Sequence, residues 1–277
     1  NIMLEIGFAF GAGSGCSTSV KSTQPAPPPR EALEFRLTQK EAELRAAQVE
    51  SISYQLALDL RDAEQFSGKA GLAVRLMAVG EGLRIDFQEG DLIAATSNGQ
   101  RLDVASLNQS LHQTGSFQVP AEFLKRGANQ LEFQYTHAYS HRGAGLHRFQ
   151  DPEDKRVYLY SQFETADASQ MFPCLEQPDL KARFKLDVTV PGIWTVMSAT
   201  RESRVERRGN DAVWSFPQTP LLSSYVFSLH AGEYRVWTDE WTGSGPQIDS
   251  DSKVRSSQLT VPLRIFARQS LAAFVPV

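Results

Sequence analysis

Cysteine, long apolar runs and an excess of basic charge are all scarce in this sequence. Its two cysteines, Cys16 and Cys174, lie in regions of opposite character, which argues against a disulfide and predicts that Cys174 is a small buried hydrophobe. The formal net charge is −4, so there is no broad basic field and nucleic acid is not expected as a partner. No segment reaches the ~18 apolar residues of a membrane-spanning helix.

The histidines are not arranged as metal ligands. None of the five belongs to an H-E-x-x-H motif, in which two imidazoles one helical turn apart bind zinc. His137 and His141 have the i, i+4 spacing, but the sequence RGAG at 142–145 does not continue a helix. We therefore expect these two histidines in a loop, without a metal.

The first 29 residues differ in composition from the rest. Residues 2–12 form a short apolar run that Glu5 interrupts, small residues precede Cys16, and a Ser/Thr/Pro-rich stretch follows. This order resembles a bacterial lipoprotein signal with a polar linker, in which Cys16 is lipidated, and it predicts a location in the cell envelope, as a lipoprotein or in the periplasm. A basic N-terminal region is missing and the chain opens with Asn1, so a truncated precursor or foreign residues, with a cytoplasmic location, are the alternative.

Residues from Thr38 onward predict one short helix and many strands. Thr38 and Glu41 form a capping-box pattern before a helix-favouring run, which predicts a helix over residues 39–49. Apolar and polar residues then alternate from Ile52 to Leu60, as in a half-buried strand, and turn signals such as Asn98-Gly99 separate further runs. The sequence therefore predicts an antiparallel all-β fold of sandwich type. Further strands are expected at residues 70–78, 83–87, 92–96, 130–137, 157–163, 182–190, 194–199, 212–216, 224–231 and 261–266.

The stretch from Tyr158 to Phe184 combines strand-forming residues with polar ones. Gln162 and Glu164 alternate with Phe163, so in a strand both would lie on the face opposite Phe163. Two polar side chains on one face can line a pocket. The alternative is that they occupy the solvated face of an edge strand.

The sequence SQFETADASQMFPCLEQPDLKARF at residues 161–184 resembles the signature of the N-terminal domain of the aminopeptidase N family of zinc metallopeptidases. In that family a Q-x-E strand precedes A-x-x-x-F-P-C-x-[DE]-x-P-D-x-K-A-x-F, and further similar segments lie here at 37–60, 145–160, 219–234 and 263–271. One departure is Glu176-Gln177, where many members have Asp-Glu, and we expect it to affect structure more than chemistry. The resemblance implies a sandwich-like or saddle-like N-terminal β domain over residues 30–267 and the start of a catalytic domain at 268–277.

The resemblance also implies a role for two residues. In the family, which removes N-terminal amino acids from peptides, the glutamate of the Q-x-E strand takes part in binding the substrate N-terminus. The glutamine two residues before it lines the pocket for the first side chain. At the positions of this chain these residues are Glu164 and Gln162. A carboxylate can bind the α-ammonium group through a charge-assisted hydrogen bond in a partly desolvated pocket.

The chain by itself is expected to be inactive as a peptidase. It contains neither H-E-x-x-H nor the G-x-M-E-N exopeptidase motif of the family, and we expect both after Val277, in a catalytic domain of the same chain that binds the zinc. One alternative is a stand-alone, non-catalytic β-sandwich module that binds peptides or another partner. Another is a structural domain that binds a partner through exposed aromatic residues such as Trp237 and Trp241.

Two ion pairs are expected in and near the segment at residues 161–184. Lys181 is predicted to pair with Glu176 or Asp179, and Arg148 with Asp151. The Arg148–Asp151 pair would be a surface pair that orders the loop leading into the Gln162 strand and contributes less than about 1 kcal/mol to stability.

Overall fold

The computed structural model describes residues 37–248 and 254–275 of the chain, with the backbone alone at 246–248 and 254–257. Cys16 and the predicted signal-like segment at 1–29 lie outside the described residues. None of the helices in the described ranges is both long and apolar enough to cross a membrane.

Strands dominate the described chain. Helices α1 and α2 span Gln39–Gln48 and Val104–Thr114. The strands are β1 Val49–Asp59, β2 Gln65–Leu76, β3 Gly82–Asp86, β4 Gly90–Ser97, β5 Gln100–Arg101, β6 Ser116–Pro120, β7 Gly127–Ala138, β8 Gly145–Gln150, β9 Val157–Gln162, β10 Ala182–Pro191, β11 Thr195–Ser198, β12 Arg204–Arg208, β13 Asp211–Phe216, β14 Leu229–Gly232, β15 Arg235–Ile248 and β16 Val254–Ala267. The predicted all-β class is confirmed.

The largest sheet has eight strands in the order β12-β13-β10-β1-β2-β7-β4-β5. Its neighbours are antiparallel except β1 and β10, which run parallel. The prediction of antiparallel pairing was therefore wrong for this pair. Parallel strands need a crossover connection. The connection between β1 and β10 contains most of the domain, so no local turn signal could reveal that these two strands pair.

The first helix begins and ends almost where the sequence predicted. The Thr38 hydroxyl accepts a hydrogen bond from the Glu41 N–H at 3.3 Å, and the Glu41 carboxylate accepts one from the Thr38 N–H at 2.8 Å. Helix α2 was not predicted, although its signals are present in the sequence. Asp103 caps its N-terminus by accepting from Ala105 N–H, and Gly115 ends it in the left-handed conformation at φ 67°, where glycine has no steric penalty.

A smaller sheet packs against the large one and carries the Q-x-E segment. Its strand order is β11-β14-β9-β8, so β9 is an inner strand and the edge-strand alternative is wrong. Residues 224–226, predicted as strand, form a 3-10 turn, and β14 begins only at Leu229. Side chains from both sheets, among them Leu56 and Leu159, belong to one buried core.

Aromatic rings fill the space between the two sheets. The ring of Phe184 stacks on Tyr54 and on Phe227, with centroids 4.8 Å apart in both cases. Phe172, from the segment after β9, meets all three rings edge-on. Such pairs contribute about 0.5–1.5 kcal/mol beyond the area they bury, so the F-P-C segment is part of the core.

Candidate functional site

The Q-x-E segment lies where β9 leaves the small sheet. The strand ends at Gln162, and Glu164 opens a turn over residues 164–167, with a cis peptide bond to Thr165. The strand predicted at 157–163 therefore ends one residue early, and Glu164 lies in a turn and not in the strand that the Q-x-E resemblance implied. The chain turns there because Phe163 is buried in the core and its carbonyl accepts a hydrogen bond from Asp167 N–H at 3.0 Å.

Gln162 and Glu164 are both exposed, whereas Phe163 between them is buried. The predicted division of faces is thus correct, but the described residues do not enclose the Glu164 carboxylate in a desolvated pocket. Its backbone N–H donates to Gln162 Oε1 at 3.3 Å. The carboxylate oxygens have no hydrogen-bond or ion-pair partner within the described ranges. Within the described part of the chain, Glu164 is therefore an exposed carboxylate without a partner.

The turn after Glu164 is held by a short polar chain of contacts. Asp167 Oδ1 accepts a hydrogen bond from Gln170 Nε2 at 2.6 Å, and burial raises the pKa of Asp167. Behind this turn, residues 171–177 are buried without exception. A rigid buried segment thus supports an exposed acidic turn.

Within that segment Glu176 is a buried hydrogen-bond acceptor. Its carboxylate accepts from the Ser169 N–H at 2.7 Å and from the Ser224 hydroxyl at 2.6 Å. Burial raises the pKa of Glu176, an effect these two donors reduce and Asp86 reinforces. Cys174, two residues earlier, is free and buried as predicted, and burial raises the pKa of its thiol. These groups fix the loop and are not accessible to a substrate.

Replacing Glu176 by Gln is expected to change how stability depends on pH. A carboxyl whose pKa is raised by folding keeps a proton that the unfolded chain releases, so the free energy of unfolding falls as pH rises from about 4.5 through the raised pKa. The variant lacks this loss. Urea unfolding at pH 4.5 and pH 8 should therefore show the variant gaining relative to wild type at the higher pH. A Glu176→Gln variant whose stability relative to wild type is the same at pH 4.5 and at pH 8 would contradict the assignment.

Asp86 ties the segment to α1 and β3. Its carboxylate accepts from Arg45 Nη1 at 2.8 Å, from Arg84 Nε at 2.9 Å and from the Glu176 N–H at 3.1 Å. Arg45 is only 4% exposed. Sequence reasoning missed this cluster, although an aspartate between the apolar residues Ile85 and Phe87 was a usable signal.

The Glu176-Gln177 departure has the structural role expected for it. Gln177 Nε2 donates to the Ala42 carbonyl of α1 at 3.0 Å. An acidic side chain at this position has no N–H to donate. The amide therefore fixes the helix to the loop.

Both predicted ion pairs were wrong. Glu176 is buried and bonded to serine groups, whereas Lys181 is exposed and forms no ion pair with Glu176 or Asp179 in the described structure. Asp151 pairs with Arg268 instead of Arg148, at 2.8 Å, and also accepts from the Ser270 hydroxyl at 2.7 Å. A partner 117 residues away could not be inferred from local spacing.

No metal centre can be assembled from the described residues, which contain no group of three or more His, Cys, Asp and Glu side chains placed to hold an ion. His137 lies in β7, as the strand predicted at 130–137 implies and not in the loop expected for the two histidines, and it is buried, with its ring nitrogens 2.6 and 2.8 Å from the carbonyls of Ala138 and Gln88. His141 lies after that strand, in the predicted loop.

Two of the four tryptophans, Trp237 and Trp241, lie on the β15–β16 ribbon. Trp237 pairs with Ile265 and Trp241 with Val261 in the register, so all four side chains share one face. Trp241 is 48% and Ile265 52% exposed. The ribbon thus presents an apolar face to solvent.

Comparison with known proteins assigns this chain to a family. Residues 50–226 match the family described as the Peptidase M1 N-terminal domain. The chain is 36% identical over 241 residues to aminopeptidase N of Streptomyces lividans, an alignment that covers 85% of this chain and 25% of that protein.

More distant relatives agree. The chain is 31% identical over 127 residues to probable M1 family aminopeptidase 1 of Encephalitozoon cuniculi, covering 45% of this chain and 14% of that protein. It is 29% identical over 155 residues to probable aminopeptidase 2 of Sulfurisphaera tokodaii, covering 53% and 20%. The chain spans a quarter or less of the length of these relatives. It belongs to the M1 aminopeptidase family and contains that family's N-terminal domain.

Proposed function

We propose that this chain forms one wall of the substrate cleft in a zinc-dependent aminopeptidase that removes N-terminal amino acids from peptides. In this proposal Glu164 binds the α-ammonium group of the substrate, and Gln162 lines the pocket for its first side chain. The observation that carries the proposal is the exposed Glu164 carboxylate, which has no partner among the described residues. A charge-assisted hydrogen bond to an ammonium group is the interaction that such a carboxylate can provide.

The support behind Glu164 favours binding over a purely structural role. Phe163 is anchored in the core and residues 171–177 behind the turn are buried, so the backbone that carries Glu164 is held in position before a ligand arrives. Preorganisation of this kind reduces the entropy lost on binding. A residue that only stabilised the fold would instead be expected to contact the loop it adjoins.

Zinc does not fit the described part of this chain, because no suitable ligand group occurs there. In the proposal, the metal and the residues that activate water belong to a catalytic domain of the same polypeptide. Extending the reading frame beyond Val277 tests this arrangement. It should encode G-x-M-E-N and H-E-x-x-H, and an early stop codon in the natural gene would favour the stand-alone module.

The 277-residue chain alone is expected to bind no stoichiometric zinc and to show no aminopeptidase activity. The reason is that the ligand set is missing from its sequence. Metal analysis after dialysis and an aminoacyl-arylamide assay check this, with the complete enzyme as the positive control. One tightly held zinc per chain would contradict the proposal that the zinc site belongs to the catalytic domain.

The apolar face of the ribbon supports a second candidate function, binding of another protein or domain. Exposed apolar patches of this kind mark interaction sites. This function is compatible with the first if the partner is the catalytic domain. Lipidation of Cys16 and a cell-envelope location stay predictions from the sequence.

A further inference from the structure

The outer face of the small sheet carries a row of aromatic rings beside Gln162. In the strand register, Tyr160 of β9 lies opposite His147 of β8 on one side and opposite His230 of β14 on the other. Paired residues of antiparallel strands share a face. These three side chains are called the aromatic platform below.

The platform adjoins the candidate substrate site. Tyr160 and Gln162 are two residues apart in β9, so they lie on the same face about 6.6 Å apart along the strand. The ring centroids of His147 and Tyr160 are 4.7 Å apart. All three platform residues are half-buried, and Gln162 on the same face is exposed.

One end of this face is closed. Beyond the platform, Tyr158 packs against Tyr234 with ring centroids 5.0 Å apart, and its hydroxyl accepts a hydrogen bond from Gln269 N–H at 3.0 Å. The guanidinium of Arg268 covers Phe149 at 4.9 Å. The accessible surface therefore runs from Gln162 to Tyr160 and stops there, about the length of one large side chain.

The imidazoles of the platform are uncharged at neutral pH. Gly143 N–H donates to His147 Nδ1 at 2.9 Å, which requires that nitrogen to be unprotonated. Burial, with a smaller effect of His141, lowers the pKa of His147, and burial lowers the pKa of His230. The surface next to Gln162 is thus aromatic and neutral.

We propose that the aromatic platform receives the first side chain of the peptide and gives the enzyme a preference for substrates that begin with an aromatic or long apolar residue. This inference rests on the proposed function, because it assumes that Glu164 holds the α-ammonium group. A large side chain would then extend past Gln162 and stack on Tyr160, with the imidazoles on either side. Alanine would reach Gln162 but leave the platform uncovered.

Kinetics of the complete enzyme with phenylalanyl-arylamide and alanyl-arylamide test the proposal. The Phe-to-Ala ratio of kcat/KM should fall about tenfold in Tyr160→Ala, which removes the stacking surface. Tyr160→Phe keeps the ring and should keep the ratio. Tyr225→Ala is the matched control, since this tyrosine is 39% exposed but lies in the 3-10 turn at 224–226 rather than on the platform.

The outcomes separate this inference from the proposed function. If Glu164→Gln lowers kcat/KM for both substrates while Tyr160→Ala leaves their ratio unchanged, the platform is not the specificity site and the inference is wrong alone. If Glu164→Gln has no effect, both proposals are wrong. If Tyr160→Ala fails to fold, Tyr160→Leu replaces it, because leucine keeps much of the apolar volume. The Phe-to-Ala ratio of kcat/KM should then fall about threefold. An unchanged ratio in Tyr160→Leu would also overturn the inference.

Discussion

Replacing Glu164 by Gln or Ala in the complete enzyme is expected to lower kcat/KM by ten- to more than a hundredfold. The substitution removes the negative partner of the substrate ammonium, and the loss of a charge-assisted hydrogen bond costs about 1.5–3 kcal/mol. Stability should hardly change, because the carboxylate has no hydrogen-bond or ion-pair partner among the described residues. Steady-state kinetics together with thermal melting measure the two effects separately.

A matched control for Glu164 is Glu122→Gln, an exposed carboxylate in a 3-10 turn that precedes β7. It should leave both kcat/KM and the melting temperature near wild type, as surface substitutions usually do. The opposite pattern at Glu164, with kcat/KM within about twofold of wild type and a lowered melting temperature, would assign the residue to the scaffold. The role proposed for this domain in binding the substrate N-terminus would then be wrong.

Replacing Asp86 by Ala is expected to destabilise the domain by about 3–5 kcal/mol. The change leaves the buried guanidinium of Arg45 without its carboxylate and removes the acceptor of the Glu176 N–H, and an uncompensated buried charge carries that penalty. Since a domain of this kind is stable by about 5–15 kcal/mol in total, the loss is a large fraction. Urea unfolding at pH 7 provides the measurement.

Asp91 offers the comparison for Asp86. Its contact with His112 is largely exposed, with the two side chains 63% and 57% accessible, so Asp91→Ala should stay within about 0.5 kcal/mol of wild type. Equal effects of the two alanine substitutions would show that the Asp86 cluster does not hold the loop. A double change, Asp86→Leu with Arg45→Met, should recover part of the lost stability because it removes both buried charges together.

Lys181 shows that tertiary contacts, and not spacing along the sequence, decide which side chains pair. Spacing alone predicted an ion pair between Lys181 and Glu176 or Asp179, but the Glu176 side chain is buried and accepts hydrogen bonds from the Ser169 N–H and the Ser224 hydroxyl. The side chain that contacts this region is Asp86, 90 residues earlier than Glu176, whose carboxylate accepts a hydrogen bond from the Glu176 N–H. Local sequence cannot reveal such a contact, because nothing near Glu176 encodes the position of β3.

What the sequence determined by itself is mostly local. Period-two alternation fixed β1, since every second side chain must leave water, and the Thr38–Glu41 capping box fixed the start of α1, because its hydrogen bonds join residues three apart. The exposure of Gln162 and Glu164 on either side of a buried Phe163 followed in the same way. The Asp103 and Gly115 caps of α2 are equally local signals.

Only the tertiary structure decided which distant elements meet. The parallel pairing of β1 with β10, the replacement of Arg148 by Arg268 as the partner of Asp151, and the row of His147, Tyr160 and His230 all join residues from separate strands or loops. Each depends on the order and register of strands, which follow from packing both sheets around a single core. A strand's own sequence states which of its faces is apolar, but not which strand lies beside it, because burial of apolar surface is non-directional.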